Sequence, residues 1–177
     1  MTKRRAERKR TLASTAEVDE LESRIMASAL KAIETVSTVL AEKEGIATLA
    51  KLKFDQIGRD PLDRERPLNL IEQLNQTFTY LTTLRGVKFL LEHHPKGAPF
   101  TVNLGTSAGP DIVSSDKNIV AEVFAATSPK SNNKLKKDLD KVSKMAAKHK
   151  YVFYCSPVGH DEKLSSKGVT IQRLQIL

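Results

Sequence analysis

Two acidic residues stand out by type and placement. Asp111 follows Pro110 in the run Gly109-Pro110-Asp111-Ile112-Val113, and Glu122 lies inside Ile119-Val120-Ala121-Glu122-Val123-Phe124. One acid opens a predicted strand and the other sits within the next. If those strands pair, the two carboxylates come together on rigid backbone, and hard oxygen ligands so held are what a magnesium ion needs. An aspartate after proline also serves simply to cap a turn. Glu122 is harder to explain that way. Its neighbours are apolar, and an ionised carboxylate in an apolar strand is costly unless it is paired or bound to a metal. A lysine-rich segment follows directly, with Lys130, Lys134, Lys136, Lys137, Lys141, Lys144 and Lys148 against only Asp138 and Asp140. Metal chemistry beside a positive ridge points to a polyanionic substrate.

The elements that must position these residues can be read from spacing. Ser14 and Glu17 form a capping-box pattern. Val18, Leu21, Ile25, Ile33, Val36 and Leu40, with Ala29 or Leu30 between, predict a long amphipathic helix. A break near Gly45 and a resumption to Phe54 follow. Ile57 to Pro67 reads as a linker. A second helix runs from about Leu68 to His93, with Leu70, Leu74, Phe78, Leu81 and Phe89 as its apolar face; Glu72 then points outward as a solvated acid. His93 and His94 suit a helix end. After Pro99 the period changes to that of strands: Phe100 to Leu104, Asp111 to Ser114, a turn at Ser115 to Asn118, and Ile119 to Ala126. Ser131 is read as the cap of a helix running to about His149. On it Leu135, Leu139, Val142 and Ala146 face inward, and Lys137, Lys141, Lys144 and Lys148 form an outer ridge. Tyr151 to Cys155 reads as a central strand, and Val169 to Ile176 as the last. A crossover helix between two apolar strands requires a parallel pair. The expected class is therefore α/β. Residues 1–13 are a basic disordered tail, residues 14–66 a helical extension and linker, and residues 67–177 the α/β core.

Composition narrows the partners. The 177 residues carry 29 Lys and Arg against 21 Asp and Glu, a formal charge of +8. A surplus on that scale favours DNA, with RNA as the alternative polyanion, through phosphate contacts. Arg4 and Arg5 in the tail suit the same role. With six Phe, three Tyr and no Trp, the chain is poorly equipped to stack unpaired bases. A single cysteine, Cys155, allows neither an intrachain disulfide nor a multi-cysteine zinc site. No apolar run suggests a membrane partner, and a cytoplasmic location is expected. His160-Asp161-Glu162 is a weak loop candidate for a cation.

The order of elements and the residues Pro110-Asp111 and Glu122 resemble the PD-(D/E)xK nuclease superfamily over roughly Leu68 to Cys155. The resemblance implies a restriction-endonuclease-like mixed sheet flanked by helices. It also implies a magnesium-dependent endonuclease that hydrolyses phosphodiester bonds in DNA. Asp111 and Glu122 would hold Mg2+, with the backbone carbonyl of Val123 as a third ligand. A homodimer would set two sites on two strands. The sequence departs from the pattern at Phe124, where the superfamily has a lysine. Three alternatives follow. The lysine is supplied by the next helix, with Lys134 first and Lys130 second; or no lysine is needed; or the domain binds nucleic acid without cleaving it.

Overall fold

The computed structural model describes residues 8–63, 65–159 and 164–176. In chain order the elements are β1 (Lys9–Leu12), α1 (Thr15–Ala41), α2 (Ile46–Phe54), β2 (Gly58–Arg59), β3 (Pro67–Leu68), α3 (Leu70–His93), β4 (Phe100–Asn103), β5 (Ile112–Ser114), β6 (Ile119–Ala125), α4 (Lys134–Ser143), β7 (His149–Cys155), β8 (Leu164–Ser166) and β9 (Val169–Arg173). The protein is α/β, with a mixed seven-stranded sheet and four α-helices among the described residues.

Two compact units divide the chain, Glu20–Phe78 in one and Arg8–Asp19 with Thr79 onward in the other. Helix α1 begins, in the second of these, at the capping box the sequence shows and runs on into the first. The Glu17 amide bonds Ser14 Oγ at 3.3 Å and the Ser14 amide bonds Glu17 Oε2 at 3.2 Å. The residues expected as a linker instead fold as the β2–β3 hairpin. Its turn is held by Asp60, fully buried, which accepts the Leu62 amide at 2.9 Å and the Arg66 guanidinium at 2.8 Å. The buried stripe of α1 runs Val18, Leu21, Ile25, Ala32, Val39, so Ile33 and Leu40 point outward, against the sequence expectation. Apolar residues occupy adjacent positions 32–33 and 39–40, only 100° apart, and the seven-residue repeat through Ala32 and Val39 is the one that lies inside. The face of α3 differs similarly. Gln73, Thr77, Leu81, Leu84, Val87 and Leu90 are buried, whereas Leu74 and Phe78 are exposed.

The second unit carries the sheet, ordered β1-β4-β5-β6-β7-β9-β8. Lys9–Leu12, expected within the disordered tail, pairs antiparallel with β4 as an edge strand. Residues 1–7, with Arg4 and Arg5, lie outside the described residues, as do His160, Asp161 and Glu162. Strands β4, β5 and β6 form an antiparallel meander. The β5–β6 turn is locked by Asp116, which accepts Ser114 Oγ at 2.6 Å and the Asn118 amide at 3.0 Å. Those bonds hold its carboxyl down at about 2. Helix α4 crosses from β6 to β7, which run parallel, and β7 runs parallel to β9. Strand β7 is thus central, as its apolar run predicts.

Each face of the sheet has its own cover. Val120, Phe124, Val152, Tyr154 and Ile171 pack with Leu135, Leu139 and Val142 of α4. On the other face, α3 approaches closely at Gly86, where a Cβ would meet the Phe153 ring at 2.9 Å and Ile112 Cδ1 at 3.1 Å. Phe89 meets Phe153 edge-on at 5.4 Å. The contact at Gly86 makes a specific prediction. Gly86→Val forces buried, close-packed neighbours apart and should cost about 1–3 kcal/mol despite better helix propensity. Chemical denaturation reads this as a lower midpoint at unchanged slope; an unshifted midpoint would refute the close approach.

Candidate active site

The site begins with the end of the β5–β6 ladder. The last paired residues are Ile112 and Ala121. Continuing that register sets Asp111 opposite Glu122 and Pro110 opposite Val123. Proline has no N–H to give the Val123 carbonyl, so the ladder stops there. The Val123 amide instead donates to Asp111 Oδ2 at 2.8 Å. That bond fixes the Asp111 carboxylate against β6. Side chains two apart share a strand face. Asp111 therefore lies on the face of Val113, and Glu122 on that of Val120 and Phe124, which is the α4 face. The two acids, which the sequence reading joins, are brought together as neighbours on adjacent strands.

Electrostatics marks the pair as strained by charge. Glu122 is 3% exposed. Burial first, and the Asp111 charge second, push its carboxyl up to about 7, in spite of Lys141. Burial also raises Asp111, against the Val123 amide and the nearby lysines. Directly opposed like charges destabilise a strand pair, so this arrangement is not one that packing alone would produce.

Helix α4 supplies the counter-charge, though not from the residue expected. Lys141 Nζ lies 2.7 Å from Glu122 Oε1. The approach is off the direction of an aligned hydrogen bond, which leaves that oxygen an electrostatic partner only. Lys141 Nζ also donates to the Gly109 carbonyl at 3.1 Å, on the loop that delivers Asp111. Lys134, the first candidate from sequence, instead pairs with Asp138 at 2.7 Å. Lys130 is exposed beside the 3-10 turn Ser131–Asn133. Asp138 was not singled out by sequence. It is 3% exposed, its Oδ2 has no hydrogen-bond partner, and burial raises its carboxyl despite Lys134. Positions 134, 138 and 141 follow i, i+4, i+7 beside the inward Leu135 and Leu139, and that spacing could have identified all three as one face.

Several details differ from the sequence reading. Ser131 makes no side-chain cap; it opens the 3-10 turn, and α4 starts at Lys134 after two left-handed residues, Asn132 (φ 51°) and Asn133 (φ 54°). The Ser131 and Asn133 amides donate to the Ser128 and Lys130 carbonyls within that turn. The helix ends at Ser143, because Met145 and Ala147 turn in toward the sheet. Lys144 and Lys148 are exposed but lie beyond α4, and Lys141, expected on the outer ridge, reaches Glu122 instead, so Lys137 alone keeps the ridge position on the helix itself. Phe124 is 3% exposed and stacked on Tyr154 at 5.7 Å, a core role. Glu72 is exposed and caps α3 reciprocally with Asn69. His93 accepts the helix-end role, with Nδ1 2.9 Å from the Phe89 carbonyl oxygen. His149 starts β7 rather than ending the lysine helix.

The donor set can be tested against a cation. Among the described residues, no group of three or more His, Cys, Asp or Glu side chains could hold a metal ion. The oxygens available are those of the Asp111 and Glu122 carboxylates, neighbours close enough for the Asp111 charge to act on Glu122, and the Val123 carbonyl, which Pro110 leaves without a ladder donor. Magnesium takes few protein oxygens and keeps several waters, so this set fits it and does not fit a closed structural cage.

No protein-family model, curated protein or solved structure matches the chain. Among the described residues, no helix is long and apolar enough to cross a membrane.

The charge conflict predicts a pH signature. Glu122 holds its proton more tightly when folded than its ordinary value of 4.5 allows when unfolded. Between those values the folded state binds more protons, so stability falls as pH rises toward 7. Glu122→Gln in chelator should therefore gain about 1–3 kcal/mol near neutral pH and above. The gain should vanish below about pH 4.5, where both states are protonated. Urea titrations across pH check it; a loss of stability near neutral pH would show that the ion pair with Lys141 outweighs burial and repulsion.

Proposed function

We propose that this protein is a magnesium-dependent DNA endonuclease with a restriction-endonuclease-like core, hydrolysing phosphodiester bonds at Asp111 and Glu122. The observation that carries the reading is the buried Glu122 on β6 and the half-buried Asp111 just before β5, set opposite one another by the continued register, with the Lys141 ammonium 2.7 Å from Glu122. A structural ion pair needs one acid, not two directly opposed. Two acids with raised affinity for protons, on rigid strands, fit a site that relieves its repulsion by taking up a cation.

In that site Asp111 and Glu122 would be the side-chain ligands and the Val123 carbonyl the third oxygen. A bound magnesium ion supplies positive charge at the scissile phosphate and makes an attacking water more acidic. The Val123 amide keeps Asp111 turned toward β6. Lys141 takes the part of the missing strand lysine. Its ammonium reaches the carboxylate edge from α4 while nearly half of its side chain remains exposed, at 45%. It can therefore leave Glu122 and meet the charge that builds on the phosphate oxygens. Asp138 holds Lys134 beside it as a second positive group. The exposed Lys130, Lys137, Lys144 and Lys148 supply phosphate contacts that position the duplex without reading sequence.

Phe124 supports a second reading. A buried phenylalanine stands where the superfamily has its lysine, and a nuclease-fold module that binds nucleic acid without cutting it would keep the basic surface alone. Supercoiled plasmid with magnesium separates the two. The wild type should nick or linearise it, and chelator should stop it. Asp111→Asn and Glu122→Gln should each lose at least about a hundredfold, Lys141→Met about a hundredfold, and Lys134→Met less than about tenfold. Cleavage that survives at Asp111→Asn, Glu122→Gln removes the site assignment. Retarded but uncut DNA, with magnesium present, establishes the binding module instead.

A further inference from the structure

We propose that the exposed stripe of α1 is a self-association seam and that its occupant is α1 of a second copy of this chain. The proposal is independent of the nuclease reading. Behind the buried stripe, α1 carries a second one: Met26, Leu30, Ile33 and Leu40 are 43%, 59%, 60% and 51% exposed. With Ser37 between them, their spacing is four, three, four, three residues, which is the heptad seam of two supercoiled helices. A strict seam of this kind repeats along the helix and is complementary to itself, which is what a two-fold pairing requires. All of these residues lie in one compact unit, so the seam is a surface of that unit alone.

Charge and area favour the second copy over an unlike partner. The positions flanking the seam are Ala27, Ala29, Glu34, Val36 and Ala41, with one charge among them. In a coiled coil these flanks choose the partner: oppositely charged flanks select an unlike chain, and like charges repel a copy. Small, almost uncharged flanks do neither, and they let two helices approach closely. A chain of charge +8 would otherwise repel its copy, but that charge is not on this face. The four large side chains expose on the order of 400 Å² of apolar surface, already at the size of the largest patch on a typical monomer. The exposed Ala27, Ser37 and Ala41 extend it toward the ~800 Å² per partner of a standard interface. The apolar residues Ile46, Leu49 and Phe54 on α2 are also exposed but lack a repeat long enough to form a seam.

The test is the mass of the intact chain in solution by sedimentation equilibrium over a dilution series. The wild type should weigh twice the 19.6 kDa monomer at the concentrated end. Leu30→Glu with Ile33→Glu puts four acids into the paired seam and should leave a monomer throughout, with a thermal transition equal to that of the wild type at dilutions where the wild type is monomeric, because both positions are exposed in the single chain. Ser37→Leu is the opposite variant. It replaces the one polar residue of the seam and should tighten the dimer by roughly tenfold or more. A wild type monomeric at every concentration overturns the proposal, whatever other protein binds the stripe. So does a dimer that ignores both variants, since its interface lies elsewhere.

Discussion

A single missing amide group organises the site. Pro110 cannot continue the β5–β6 ladder, and Asp111 takes the Val123 N–H in its place. The substitution does two things at once. It turns a strand-opening aspartate toward its neighbour strand, on which Glu122 sits, and the missing N–H leaves one backbone carbonyl without a donor at the same spot. Without that bond Asp111 would be an ordinary turn aspartate at the mouth of a loop. With it, two carboxylates share a face on adjacent strands, and the rest of the local structure has to accommodate their repulsion.

Helix α4 is that accommodation. Leu135, Leu139 and Val142 bury its inner side in the core formed by Val120, Phe124, Val152 and Tyr154. This packing fixes which flank of the helix passes the acids. The flank carries Lys134, Asp138 and Lys141, a lysine pair with one buried acid between them. Lys141 reaches Glu122, and Asp138 restrains Lys134. The compensation is incomplete, because Glu122 still holds its proton up to about 7. A fold selected only for stability would place an apolar residue or an amide there. Charge conflict retained in a well-packed sheet is the physical sign that the residues serve something other than the core.

Much of this was legible in the chain. Strand alternation from Phe100 to Ala125, the apolar run of β7 and the intervening helix required a mixed sheet with a parallel pair, and that is what forms. The pairing of Asp111 with Glu122 followed from the same strands. What could not be read was which of two neighbouring apolar stripes lies inside a helix. Positions 32 and 33 of α1, or 73 and 74 of α3, differ by 100°, and only tertiary packing decides between them. In α3 it chose Gln73 over Leu74, because Gln73 Oε1 accepts the Arg59 amide at 2.7 Å. The choice of lysine failed for a related reason. A position near the helix start suggested Lys134, but α4 begins later than the cap pattern implied, and the long side chain of Lys141 spans to β6. Strand β1 escaped notice since basic residues hide an edge strand whose partner is ninety residues away.

The central claim is a divalent cation between two strands, and a crystal soaked in manganese, with anomalous scattering recorded, reports on it directly. The expected result is one peak about 2.0–2.2 Å from an oxygen of each of Asp111 and Glu122 and near the Val123 carbonyl, with the Lys141 ammonium displaced from Glu122. No peak at that position under saturating metal, with Lys141 still seated on Glu122, would contradict it.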